Sequence, residues 1–267
     1  MQRIIKDLLN PYHLERYGNL IGGRIPHIST PKSLSIGEHL LYFNPVSKQL
    51  GTDGYYDDQS PGMILKDANL KYSRRVWAQG TIDVAGPLEF NREYKCQEKL
   101  QFIKKVRGDH YVCIERLISG DDKQMLLRET RTLAYTNSLA RESTSISIDS
   151  SESISIGSFT FQKMDIVIYG QLSLNPHRIH WDRTYSCEKE GYKNIIVQGP
   201  FALQVLLRYA QNYIQSPVSQ VRYRNYNYIY PNTRVEILVR SSSKNYQVWM
   251  RDSENRDIVF LKADMIC

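Results

Sequence analysis

The chain has 267 residues, 41% of them apolar and 24% charged, enough to build a core and without the signature of disorder, at a length suggesting two domains or one large one. No run approaches the ~20 apolar residues of a membrane-spanning helix, which excludes a chain threaded through a bilayer by helices. Lys and Arg exceed Asp and Glu by 35 to 28, and the resulting +7 is spread along the chain without a basic tail, as suits a globular protein with an acidic partner.

The first 23 residues lack the apolar stretch of a secretory signal. Arg3, Lys6 and Arg16 make only a weak targeting pattern there, diluted by Asp7 and Glu15. Residues 37–62 are punctuated by Pro and Gly and read as irregular. Residues 110–119 and 125–135 read as two strands joined by the turn-forming Gly120-Asp121-Asp122. In residues 138–158, 9 of 21 are serine, the composition of a flexible connection. The domains are therefore drawn as 1–140 and 159–267, with 141–158 as linker. The Ser/Ile alternation at 145–148 and 153–156 also fits a short edge strand. Residues 164–169 read as an apolar strand.

A strand-like run, 195–197, then leads to Gly199-Pro200, which opens the clearest helix, ending near Ile214. Pro200 suits the first helical position, where its missing N–H would be an orphan anyway. Apolar residues occupy nearly every face, interrupted only by Gln204 and Arg208, and such a helix belongs in a core. Residues 221–230 read as a strand with Arg222, Arg224, Tyr226 and Tyr228 on one face. A meander of 234–240, 246–251 and 257–265 ends the chain, with turns at 241–243 and 253–255. The four cysteines are far apart with no C-x-x-C pair, so they read as reduced thiols. The class expected is α+β. A buried helix wrapped by an antiparallel sheet is the hot-dog pattern, and residues 159–267 contain its parts: strand, helix, four strands. The first half ends in similar strands but has only its irregular stretch where a central helix would stand.

The densest chemistry is at Asn175-Pro176-His177-Arg178-Ile179-His180-Trp181-Asp182, where two of the six histidines fall within four residues. Histidine is the side chain best suited to move a proton near neutral pH. The spacing alone leaves several readings open. The pair could be an acid/base site, ordinary loop histidines, or two metal ligands that lack a third at ligand spacing. Asn175 could cap a short helical turn under any of these. Gly199 is either a simple cap or the point where an unblocked N–H at the positive end of a helix holds a negative oxygen. An acid/base histidine and an oxyanion-holding helix end together suit chemistry alpha to a thioester carbonyl.

The octapeptide, followed by Glu190-Gly191-Tyr192 and Val197-Gln198-Gly199-Pro200, resembles the MaoC-like hydratase/dehydratase family and, within it, the fungal mitochondrial 3-hydroxyacyl-thioester dehydratase type 2 group. His39-Leu40-Leu41-Tyr42-Phe43, Asp53-Gly54-Tyr55 and Arg74-Arg75-Val76-Trp77-Ala78 resemble the same group's first half. The likeness covers most of the chain apart from the serine-rich stretch. It implies a double hot-dog whose first repeat has a degraded helix, leaving room for an acyl chain. The implied reaction is reversible dehydration of (3R)-3-hydroxyacyl thioesters to trans-2-enoyl thioesters on acyl carrier protein or CoA, in mitochondrial type II fatty acid synthesis, without cofactor or metal. The implied location is the matrix, and the likeness allows a homodimer. By position, His180 takes the place of the catalytic histidine, and Asn175 stands where many relatives have a catalytic aspartate. An amide orients water or a hydroxyl but cannot take up a proton. Gly199 would supply the oxyanion N–H, with Gln198, Pro200 and His177 beside the substrate. Gln198 replaces a histidine common at that position and could instead only hold the strand end, and His177 stands where relatives often have asparagine, with packing of the catalytic loop as its default role.

Three other readings compete. A pI near 9.1 and the Arg/Tyr alternation of 221–230 would suit a non-catalytic RNA platform, although the same strand is ordinary for a sheet and no nucleic acid is expected. On the same fold, the protein could instead bind acyl thioesters without catalysis, or hydrate branched or dicarboxylic acyl-CoA.

Overall fold

The computed structural model describes residues 2–25, 32–121 and 124–267. Asp122, in the turn expected at 120–122, lies outside them. Among the described residues the first half contributes β1 (Gln2–Leu8), α1 (Pro11–Ile21), a short α2 (Pro61–Leu65), β2 (Arg74–Val84), β3 (Glu93–Val106), β4 (Asp109–Ser119) and β5 (Met125–Thr136). The second contributes β6 (Ile154–Thr160), α3 (Lys163–Leu172), α4 (Arg183–Glu188), α5 (Gly199–Ile214), β7 (Gln220–Asn225), β8 (Arg234–Ser242), β9 (Asn245–Asp252) and β10 (Val259–Ile266). The strands form one antiparallel sheet ordered β1-β3-β4-β5-β2-β7-β10-β9-β8-β6, and the β2–β7 pairing joins the halves. This is the α+β double hot-dog expected, with α5 as its one long central helix.

α5 is buried from Phe201 to Ala210 apart from the half-buried Arg208, and its last turn exposes Asn212 and Tyr213. Phe201, Val205, Leu206 and Leu207 have no exposed surface, and burying each side chain is worth ~1.5–3 kcal/mol. Two of its polar residues are used where the first half meets it. Gln204 Nε2 donates to Gly37 O (3.0 Å) and Arg208 pairs with Glu38. Gly37 has φ +90°, and a Cβ there would lie 2.7 Å from Leu207 Cδ1, so glycine is needed for both turn and contact. The irregular stretch 37–62 carries only 3-10 turns at Glu38–Leu41 and Asp57–Gln59 besides α2, and it occupies the place of a second central helix.

Several expectations need correction. Residues 164–169 are not a strand: they lie in α3, where Asp165 accepts from Gln162 N (2.8 Å) and is clamped by Arg24. Ile166 and Tyr169 are both buried, three residues apart on one helical face. The N-terminal segment read only for targeting is part of the fold. β1 pairs with β3, and α1, capped by Asn10, buries Leu14, Tyr17 and Ile21. Strand character begins at Ile154, inside the 141–158 linker, with β6 on the sheet edge. The serine-rich stretch before it is a strap, with Ile146 and Ile148 packed on Leu238 and Trp249 and Ile146 N bonded to Asp257 O. The strand expected over 221–230 ends at Asn225. Arg222 and Arg224 face solvent, whereas the Tyr228 hydroxyl accepts from Arg74 (2.7 Å), so the four residues do not form one face.

Candidate active site

The loop carrying Asn175, His177 and His180 is built on the end of α3. Ser173 Oγ bonds back to Tyr169 O, and Leu174 turns the chain at φ +50°. Asn175 N then donates to Gly170 O (2.7 Å). A Cβ on Gly170 would stand 3.0 Å from Asn175 O, so the loop folds this closely because residue 170 is glycine. Asn175 Oδ1 accepts from His177 N (3.3 Å), a local turn rather than a helix cap, which leaves the Nδ2 hydrogens for other acceptors. A 3-10 turn, Arg178–His180, follows, and Asp182 caps α4 through Tyr185 N.

The run 195–197, read as strand-like, is not a strand of the sheet, but it is bonded on both sides. Ile196 N donates to Ile179 O and Val197 N to Ile229 O. The Ile196 carbonyl accepts from His180 Nδ1 at 2.9 Å. A carbonyl can only accept, so Nδ1 carries the proton and Nε2 presents a lone pair. His180 is 6% exposed. Burial pushes its pKa down to about 4, the Ile196 bond opposing and the charge of Arg75 assisting. At neutral pH it is an uncharged, oriented base.

His177 is fixed differently. Its Nε2 accepts from Arg75 Nη2 (2.7 Å), and its ring meets Tyr55 and Tyr56 at centroid distances of 5.1 and 5.0 Å. Burial, then Arg75, then His180 hold it well below the usual histidine range. The two histidines are thus separate neutral groups with different partners. Gly199 is the first residue of α5, where a backbone N–H has no partner within the helix. A Cβ on it would come within 3.3 Å of Trp77 Cε3. Pro200, Asn175, His177, His180 and Gly199 line one cavity of ≈ 240 Å³, together with Arg75 and Trp77 of β2. Gln198 does not line it: its buried side chain donates to Ile166 O (2.8 Å) and ties the start of α5 to α3.

The residues whose roles escaped the sequence reading come from the first half. Arg75 enters through the Arg74–Ala78 block with no role attached, yet it holds His177. Arg74 bonds Ser138 O and the hydroxyls of Tyr192 and Tyr228, while Tyr55 Oη donates to Glu190 (2.8 Å). Burial lifts Glu190 to about 8, against the pull of Tyr55 and Arg74. This buried network joins both halves and the serine-rich stretch beside the histidine loop. An Arg-Arg pair beside Trp on a strand was its one visible signal.

The model of the hydroxyacyl-thioester dehydratase type 2 family matches residues 37–231. The chain is 40% identical over 99% of its length, and 98% of the relative's, to the mitochondrial hydroxyacyl-thioester dehydratase type 2 of Saccharomyces cerevisiae. Among solved structures it is similar to HtdX of Mycobacterium tuberculosis, with TM-score 0.71, 10% identity and coverage of 98% and 99% of the two chains. A second protein of that bacterium, described as having a double hotdog fold, superposes with TM-score 0.59 at 9% identity over 98% and 94%. The chain belongs to the hydroxyacyl-thioester dehydratase type 2 family.

Proposed function

We propose that the protein reversibly dehydrates (3R)-3-hydroxyacyl thioesters to trans-2-enoyl thioesters in mitochondrial type II fatty acid synthesis. One observation carries the roles: the Nδ1 bond of His180 to Ile196 O leaves Nε2 as a free base inside the cavity that Gly199 also lines. His180 Nε2 removes a proton from C2, and the thioester oxygen gains charge facing Gly199 N–H. The imidazolium then returns the proton to the 3-hydroxyl, so that the C3–O bond breaks, water leaves and the C2–C3 double bond forms. Asn175 Nδ2 orients that hydroxyl, or the attacking water in the hydration direction. His177, pinned by Arg75, positions the loop. Positioned acid/base work is worth ~10²–10⁴-fold, and an oxyanion donor ~10²–10³-fold. An acyl carrier protein, acidic where this chain is basic, is the carrier in this reading, and the active unit is a homodimer, testable by sedimentation.

The test is an absorbance assay of enoyl-thioester formation and hydration on CoA and carrier-protein substrates. Wild type turns over the (3R) ester, and a folded His180→Ala loses ~10²–10⁴-fold in kcat. Asn175→Ala loses less, because an amide only orients. A wild type inactive on both carriers would sink the assignment.

A further inference from the structure

We propose that a buried ion cluster in the wall of the cavity limits the acyl chain, with Arg131 as the residue at which an apolar tail stops, so that the site prefers short-chain 3-hydroxyacyl thioesters. This rests on the dehydratase reading and specifies its substrate. Glu98, Arg116 and Glu129 are direct cross-strand neighbours on β3, β4 and β5, and none is more than 1% exposed. Arg116 Nε meets Glu98 (3.0 Å), Nη1 meets Glu129 (2.9 Å) and Nη2 meets Phe43 O (2.7 Å). Arg131 makes two 2.8 Å bonds to Glu129, and Arg3 Nε reaches Glu98 (3.0 Å). His39, kept neutral by burial, lies beside Glu129. Among the described residues, the guanidiniums of Arg3, Arg116 and Arg131 pair with the carboxylates of Glu98 and Glu129 in one charged wall.

That wall belongs to the cavity that holds His180, since Arg3, Glu98, Arg116 and Arg131 line it. The path between is short. Trp77 packs against Gly199, and Arg131 Cζ lies 5.1 Å over the Trp77 ring. One indole therefore separates the charges from the place of the thioester oxygen. The strands are apolar on either side of this row, with Ile114 and Leu133 towards one end and Ile118 and Leu127 towards the other. A buried ion cluster is generally no more stabilising than apolar packing of equal volume, so stability gives no reason for charges here. Lining a cavity of ≈ 240 Å³, below the ~300–1,000 Å³ of drug-sized ligand pockets, they end its apolar part. An apolar tail gains about fourfold per methylene while it is buried in apolar surroundings. Against ion pairs that gain is replaced by the cost of stripping water from them.

The experiment measures kcat/KM for (3R)-3-hydroxybutyryl-, hexanoyl-, octanoyl-, dodecanoyl- and palmitoyl-CoA with wild type, Arg131→Met and Arg131→Lys. Wild type and Arg131→Lys should climb along the short esters, break, and fall about tenfold or more by the palmitoyl ester. In Arg131→Met the dodecanoyl-to-butyryl ratio should rise about tenfold. Should that variant fail to fold because Glu129 is stranded, Arg131→Met with Glu129→Gln removes the pair together and is read the same way. A wild type that climbs through palmitoyl, or a folded Met variant that keeps the break, overturns the proposal. Calorimetry with saturated acyl-CoAs reads the same break without turnover. An inert protein that shows the break refutes the dehydratase reading alone, and an active protein without it refutes the length limit alone.

Discussion

The ionisation of His180 offers a quantitative test of the site. Its pKa of about 4 lies below the ordinary 6.5, with burial the main cause. That gap is worth on the order of 3 kcal/mol between the protonation states. The unfolded chain binds a proton that the folded chain refuses. The contribution of neutral His180 to stability is therefore fully present above pH ~6.5 and is lost as pH falls from there towards ~4. Two measurements follow. The acid limb of kcat/KM, which reports the free enzyme, should have its midpoint near pH 4, well below 6.5. In denaturant melts, the stability of wild type relative to His180→Asn should decline by on the order of 3 kcal/mol between about pH 7 and pH 4. His39 and His177, also buried and held low, are present in both proteins and largely cancel in the difference. An acid limb centred near 6.5, with a stability difference flat across that window, would refute a buried neutral base at this position.

Three further outcomes are expected. Arg75→Met should move the acid limb of kcat/KM to higher pH, because the charge that depresses His180 is gone, while Arg75→Lys holds it; a limb unmoved in the Met variant removes Arg75 from the electrostatics of the site. Gly199→Ala puts a methyl 3.3 Å from Trp77 Cε3 and 3.4 Å from its Cβ, and should cost up to ~10²–10³-fold in kcat with ~1–3 kcal/mol of overpacking, read by steady-state kinetics and thermal melts. Glu190, held at about 8, contributes stability that is full below pH ~4.5 and lost as pH rises through ~8. Glu190→Gln should accordingly gain on wild type across that window by a few kcal/mol at most, and equal pH slopes for the two proteins would refute the raised pKa.

The sequence by itself determined the elements whose signal is local. The antiparallel pairs ending each half alternate and are separated by turn residues. The all-round apolar run after Pro200 can only be a buried helix. The loop from Asn175 to Asp182 is contiguous, so His180, Asn175 and Gly199 were legible as candidates from spacing and resemblance. Local signals also misled. Residues 164–169 have strand composition, but the Asp165 cap and the burial of Ile166 with Tyr169 make them helical. Ile146 and Ile148 have partners about a hundred residues away, which serine content cannot announce.

Which charges are buried depends on how distant segments pack. Glu98, Arg116 and Glu129 look like solvent-side residues of ordinary strands, yet three strands align them in one buried row, of which Glu98 and Arg116 line the cavity. Likewise Arg75 and His177, 102 residues apart, meet because the β2–β7 pairing and the packing of 37–62 on α5 bring the halves together. The chemistry is written in a local motif because neighbouring residues can shape one loop. The electrostatic state of that motif is a property of burial, and burial exists only once the two halves of the chain have packed around it.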